Sequence, residues 1–296
     1  VGDEPNSMGI SSTFKLWKQY QRPEEERLSF YQQILLGAIG KLEEKTPAKL
    51  TSLPVIISGM ASANIGMMNL PYKEIPFSID GHDLNVEIIA ANNNFGHPIL
   101  LVSGAKTIND VMRGEEVQLL GSIVNSDLEE QVFIFPGTHS KHVMVKNETV
   151  SDVRTYMTGE FFNLLTTASI LSSSIEKTGD LSNPENLKSF EKGVDDSLRT
   201  NILSSAFQVR INDLFKRLSK QQNYCYLSGL LIGTEFKELD SNIPYTIVCD
   251  ESIYKFYKAA LQKLNITAVN YTSSADAVIR GHRILSNLYK SKLNSA

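Results

Sequence analysis

Residues 131–156 read QVFIFPGTHSKHVMVKNETVSDVRTY. Apolar runs alternate with PGTHSK and KNET, so the order predicts strand, tight glycine turn, strand, turn, strand. Residues 154–160, RTYMTGE, lead from the third strand into a helix expected over about 159–171. An antiparallel meander feeding a helix is one half of a mixed α/β architecture.

Working outward, residues 53–58 (LPVIIS), 84–89 (LNVEII) and 98–103 (PILLVS) read as strands, the last two joined by the turn signal NNNFG. Helical spacing of apolar residues predicts helices over 14–45 and 110–124. Residues 182–222 carry helical patterns with polar linkers, and 224–236 form an apolar helix with Gly229 and Gly233. The C-terminal part alternates strand 245–249, helix 252–264, strand 266–270 and helix 274–290. This is an α/β chain with mixed sheets and two lobes, expected as residues 1–127 and 128–296.

Composition narrows the function. A formal net charge of -4 over 296 residues offers no field for a nucleic-acid backbone or an anionic membrane. No apolar run reaches the ~18 residues of a membrane span. Residues 1–9 carry neither an apolar core nor basic flanks, so a cytoplasmic protein acting on small molecules is expected. Cys225 and Cys249 lie far apart with no metal-ligand spacing, and read as buried apolar residues in a reducing compartment. No GxxxxGK[ST] and no GxGxxG occurs, which disfavours a P-loop kinase and a classical dinucleotide-binding fold.

Four stretches carry chemistry. In PGTHSK, Gly137 lets backbone N–H groups approach a ligand, Thr138 and Ser140 add hydroxyls, and Lys141 adds positive charge. Those features suit a phosphate, and equally an ordinary hairpin with a polar tip. In residues 111–121, VMRGEEVQLLG, a carboxylate of Glu115 or Glu116 could take a proton, and Arg113 could pair with a substrate carboxylate. The same glutamates would also complement a helix N-terminus. Residues 58–64, SGMASAN, place small residues and Asn64 at a strand end, a usual place for ligand contact, with Pro71 and Tyr72 following. Thr158 and Gly159 open a helix whose N–H groups could face an anion. His139 and His142 have no third ligand at metal spacing, so no zinc site is expected.

Taken in order, these stretches resemble the 2-dehydro-3-deoxygalactonokinase family. The resemblance rests on residues 59–66 (GMASANIG), Pro71-Tyr72, residues 110–121 (DVMRGEEVQLLG), 136–143 (PGTHSKHV), 154–160 (RTYMTGE) and 227–233 (LSGLLIG). It implies two RNase H-like lobes around a central cleft, as in the actin, hexokinase and heat-shock-ATPase superfamily. It also implies ATP-dependent phosphorylation of the terminal hydroxyl of 2-dehydro-3-deoxy-D-galactonate. Mg²⁺ would bridge the β- and γ-phosphates, held largely by water and phosphate. Gly137, Thr138, His139, Ser140, Lys141, Thr158 and Gly159 would then hold ATP. Glu115 is the first candidate base, with Glu116 and Asp110 behind it. Asn64, Arg113, Tyr72 and Ser62 would contact the sugar acid. Proteins of that superfamily often form homodimers.

Three features depart from the pattern. The superfamily's Asp-x-Gly-Thr phosphate hairpin is not found, and VGDEPNSMGISSTF resembles the stretch that follows it. Either the sequence given begins after that hairpin or the protein lacks that half of its phosphate clamp. A glycine-rich turn expected after the strand near residue 248 reads Val248-Cys249-Asp250-Glu251-Ser252, whose acids would oppose a nucleotide. The tryptophan after the phosphate-loop lysine is His142. The first two departures also suit a rival reading, a kinase-like protein that binds a sugar acid without turning it over.

Overall fold

The computed structural model describes residues 8–47, 49–122 and 129–296. By internal contacts the chain divides into two compact units. The expected boundary at 127/128 falls within 123–128, outside the described residues. The first unit takes Val1–Ser126, Glu148–Asp152 and, from the far end of the chain, Asp276–Ala296. The second takes Asp127–Asn147 and Val153–Ala275.

The first unit opens with α1 (Ile10–Gln19) and α2 (Arg27–Lys45). One continuous helix over 14–45 was the expectation. The chain breaks instead at Gln21, whose φ is 48°, and Pro23 then starts a short 3-10 turn, Glu24–Glu26. Three strands follow as one sheet: β1 (Val55–Ile57), then, beyond the two-residue strands β2 (Lys73–Glu74) and β3 (Phe77–Ser78), β4 (Val86–Ile89) and β5 (Ile99–Val102). The order is β1-β5-β4, with Val55 beside Ile99 in parallel and Val86 opposite Val102 antiparallel. Every residue of β5 is buried, as a central strand requires. Trp17, Phe30 and Tyr31 from the two helices pack with Ile99, Leu101, Phe95 and Met67.

A second small sheet, β2-β6-β7, is completed by β6 (Ala105–Lys106) and β7 (Val111–Met112). It leads into α3 (Glu115–Ser122). The helix predicted from residue 110 therefore starts five residues later. Gly114, at φ +111°, lies outside helical space, so residues 110–112 join a strand turn. Gly121 of α3 meets the backbone of Ala277 and Gly281 so closely that a Cβ would collide with the Ala277 carbonyl.

The second unit begins with the predicted meander, β8 (Glu130–Phe135), β9 (Ser140–Lys146) and β10 (Thr149–Tyr156). The first residues of β10 group with the first unit, where Thr149 and Val150 pair with Ser78 and Phe77 of β3. Helix α4 (Thr158–Thr167), a 3-10 turn, then α5 (Pro184–Arg199), α6 (Ile202–Leu214) and α7 (Lys220–Glu235) follow. The unit closes with β11 (Tyr245–Val248), α8 (Glu251–Lys263) and β12 (Val269–Thr272). Helix α9 (Ser274–Leu288) and α10 (Lys290–Asn294) pass into the first unit. Strands β12, β11 and β8 run parallel and β9 antiparallel, so the sheet is mixed.

Helix α7 is buried over most of its length from Asn223 to Glu235, between two apolar clusters. One cluster joins Val132, Ile134, Phe190, Cys225, Ile247, Cys249 and Leu261. The other joins Leu171, Val209, Leu227 and Leu230. Ser219 and Gln222 form a reciprocal capping box at its start. Gly193 of α5 and Gly229 of α7 face each other's helix backbone with no room for a Cβ. The chain is thus mixed α/β, and among the described residues no helix is long and apolar enough to cross a membrane.

Candidate active site

In the first unit, two glycines bring two motifs together. Gly59 (φ +82°) ends β1's strand segment and Gly114 (φ +111°) precedes α3, and a Cβ on Gly114 would stand 3.3 Å from the Gly59 Cα. The approach sets Arg113 against the SGMASAN stretch. One Arg113 Nη donates to the Ser62 carbonyl (2.6 Å) and to Ser62 Oγ (2.7 Å). The guanidinium lies 4.2 Å from the Tyr72 ring centroid, a cation–π stack. Gly104 leaves room for that ring, since a Cβ there would meet Tyr72 at 2.8 Å. Arg113 Nε is buried without a hydrogen-bond partner among the described residues.

The neighbouring glutamates differ in environment. Glu115 is half-buried and its Oε2 accepts from the Arg113 backbone N–H at 2.8 Å. Glu116 is fully buried, one oxygen accepts from the Gly114 N–H, and the other has no partner among the described residues. Burial, then the Glu115 charge, push its carboxyl up to about 8 against the pull of Arg113. Glu116 therefore keeps its proton at neutral pH. Asp110 sits at the β6–β7 turn, where Oδ1 accepts from the Val111 N–H, and lines a hollow with Glu74 and Lys106. Asn64 is exposed, and its carbonyl accepts from Arg27. Sequence reasoning missed His282, whose Nε2 lies 3.0 Å from Ser58 Oγ. Burial pushes that imidazole down to about 4, so it is neutral.

In the second unit, a cavity of ≈ 1070 Å³ is lined at one end by Pro136, Gly137, Thr138, Thr158 and Gly159. Phe162, Tyr224, Leu231, Ile253 and Phe256 form apolar walls, and Lys177, Asp180 and Lys255 stand among the lining residues. The PGTH turn and the start of α4 are closely fitted. A Cβ on Gly159 would strike the Gly137 carbonyl. The Glu160 N–H donates to the Thr138 carbonyl at 2.9 Å, and His139 Nε2 lies 2.6 Å from Glu160 Oε2. Met157 supplies no side-chain cap to α4, leaving its first turn without that usual acceptor.

Of the seven residues expected to hold phosphate, Gly137, Thr138, Thr158 and Gly159 line this cavity; His139, Ser140 and Lys141 do not. Ser140 and Lys141 are already strand residues of β9, both buried. The Ser140 hydroxyl, expected to hold phosphate, donates to Glu235 Oε1 at 2.7 Å in this structure. Lys141 Nζ lies 3.5 Å from the His139 carbonyl. Ser252 and Ile253 line the cavity whereas Asp250 and Glu251 do not, so that acidic pair does not stand against its contents.

Glu235, also missed from the sequence, is the centre of this network. Oε1 accepts from Ser140 Oγ and pairs with His142 Nε2 (2.9 Å), and Oε2 accepts from Thr158 Oγ1 and Tyr257 OH (2.8 Å). The signal was available: a lone acid ending an apolar helix must find donors, because an unpaired buried charge is costly.

A family profile described as 2-keto-3-deoxy-galactonokinase matches residues 18–285. The chain is 32% identical over 250 residues to 2-dehydro-3-deoxygalactonokinase of Escherichia coli (strain K12), covering 80% of this chain and 78% of that protein. It is 31% identical over 251 residues to a provisionally named 2-dehydro-3-deoxygalactonokinase of Rhizobium meliloti (strain 1021), covering 77% and 76%. A crystal structure of a Sinorhizobium meliloti protein with the same provisional name superposes with a TM-score of 0.78 at 23% identity, over 96% of this chain and 88% of that one, which shows a shared fold. With a profile spanning nearly its whole length, this chain belongs to the 2-keto-3-deoxy-galactonokinase family.

Proposed function

We propose that this protein transfers the γ-phosphoryl group of ATP to the terminal hydroxyl of 2-dehydro-3-deoxy-D-galactonate, within a fold of two RNase H-like lobes of the actin and hexokinase type. The observation that carries the nucleotide part is the cavity in which Gly137, Thr138 and Gly159 stand at one end and Phe162, Tyr224 and Phe256 along the walls. Its volume and mixed lining suit a nucleoside triphosphate, with phosphates against backbone N–H groups and the base against rings. The Arg113–Ser62–Tyr72 group suits the sugar acid, because a guanidinium stacked on a ring is held ready for a carboxylate.

The reaction is phosphoryl transfer, in which positioning and electrostatics supply most of the rate. The acceptor hydroxyl oxygen attacks the γ-phosphorus, the bond to the β-bridging oxygen breaks, and ADP leaves. Glu115 takes the hydroxyl proton, being half-exposed, whereas Glu116 already carries its own proton. Among the described residues no three His, Cys, Asp or Glu side chains gather at metal-binding distance. Mg²⁺ held by water and the phosphates would supply charge neutralisation. The site of action is the cytoplasm.

A coupled assay of ADP release with ATP, Mg²⁺ and 2-dehydro-3-deoxy-D-galactonate tests the proposal. Turnover should depend on the sugar acid and exceed that with the gluconate-derived epimer. Binding of the sugar acid by calorimetry without ADP release would favour a sensor over a kinase.

A further inference from the structure

We infer that Glu235 is a positioning residue for the nucleotide: one buried carboxylate that holds three separate elements at the spacing the triphosphate needs. The inference rests on the assignment of the second unit's cavity to ATP. Glu235 does not line that cavity, but Thr158 and Tyr257, which it binds, do, and Ser140 adjoins the turn that does. Ser140 closes the PGTH turn whose Gly137 and Thr138 form one wall. Thr158 is the first residue of α4, beside Gly159. Tyr257 belongs to α8, which contributes Ser252, Ile253, Lys255 and Phe256. His142, at the start of β9, completes the shell.

The chemistry selects a carboxylate here. Three hydroxyls and the His142 ring converge on two oxygens, two to each, and a carboxylate offers about four lone-pair sites. It can satisfy all four at once. An amide can do so only if the two groups facing its NH₂ turn from donating to accepting, which re-aims the hydroxyls or changes the His142 tautomer. The backbone N–H groups that would meet phosphate lie on the turn and on α4, so their mutual position is set through Ser140 and Thr158. A displacement on the order of 1 Å is enough to lose ~10²-fold in a positioned reaction. Glu235 thus acts through other residues and never touches substrate.

Glu235→Gln in the full chain tests this, with the ATP and sugar-acid KM values measured separately. We expect kcat/KM for ATP to fall ~10²-fold, mainly through KM, with the sugar-acid KM unchanged. Glu235→Asp, which keeps the charge and the four acceptor sites, should recover part of the loss. A purely structural role would lower the melting temperature and the active fraction while leaving the ATP KM of the folded protein unchanged, and that result overturns the inference. If Glu235→Gln does not fold, Ser140→Ala, which removes one hydroxyl from Oε1 at a residue that does not line the cavity, decides in the same way. Phe256→Ala separates the underlying assignment: an unchanged ATP KM there refutes the nucleotide cavity itself. A raised ATP KM in Phe256→Ala with a normal one in Glu235→Gln refutes only the positioning role.

Discussion

Glu115 and Glu116 are neighbours in sequence with opposite chemistry. The half-exposed Glu115 is the proposed base, and proton abstraction by a positioned carboxylate contributes ~10²–10⁴-fold. Phosphoryl transfer through a loose transition state leans on its base less, so Glu115→Gln should lower kcat by roughly 10²-fold with a smaller change in the KM for ATP. Near-normal kcat in that variant, with Asp110→Asn inactive, would move the role to Asp110. Glu116→Gln should keep kcat within a few-fold, because glutamine resembles the protonated acid that burial enforces. The same burial gives stability a pH dependence. The unfolded carboxyl titrates near 4.5 and the folded one at about 8, so between these values the folded state binds the extra proton. Stability from Glu116 is therefore fully present below 4.5 and is lost as pH rises through about 8. Urea midpoints of the parent should fall across that window relative to Glu116→Gln, and parallel pH profiles would refute the buried acid. Arg113 and Glu115 face the group and are present in both proteins, so the difference isolates Glu116.

At the level of elements, the meander over 131–156 was legible because its turn residues and apolar runs agree, and the structure follows within a residue or two. Strands β1, β4 and β5 were legible for the same reason. What the sequence concealed is where long-range contact overrides local pattern. The apolar spacing of Met112, Val117 and Leu120 reads as one helix from 110, yet the positive φ of Gly114 at the Gly59 approach ends that reading. Ser140 looked like a loop donor because nothing local reveals Glu235, ninety-five residues away in sequence. The same rule of close approach gives two predictions. Gly159→Val should push the PGTH turn off α4 and raise the ATP KM ~10-fold or more, an unaltered KM counting against the turn as the phosphate site. Gly229→Ala, against the Phe190 carbonyl, should destabilise by ~1–3 kcal/mol through overpacking, read as a lower urea midpoint.

For the whole molecule, each proposed ligand has its own unit to stabilise. A ligand that binds only the folded form raises stability by RT ln(1 + [L]/Kd). Amide exchange with ATP should slow in α4, α7 and the β8–β9 turn, and with the sugar acid in residues 58–66 and 111–116. Protection in the reverse pattern would refute both site assignments. The buried cysteines add a consequence of another kind. Cys225 and Cys249, the two in the sequence, both sit in the core of the second unit, where burial pushes their thiols up to about 11 and about 12. Only a thiolate reacts readily with a disulfide reagent, so neither should be labelled while that core is closed. The first unit has no sulfhydryl to contribute background. The chain therefore carries a built-in clock: the rate at which a colorimetric thiol reagent develops its signal reads out how often the second unit opens, with no engineered label required.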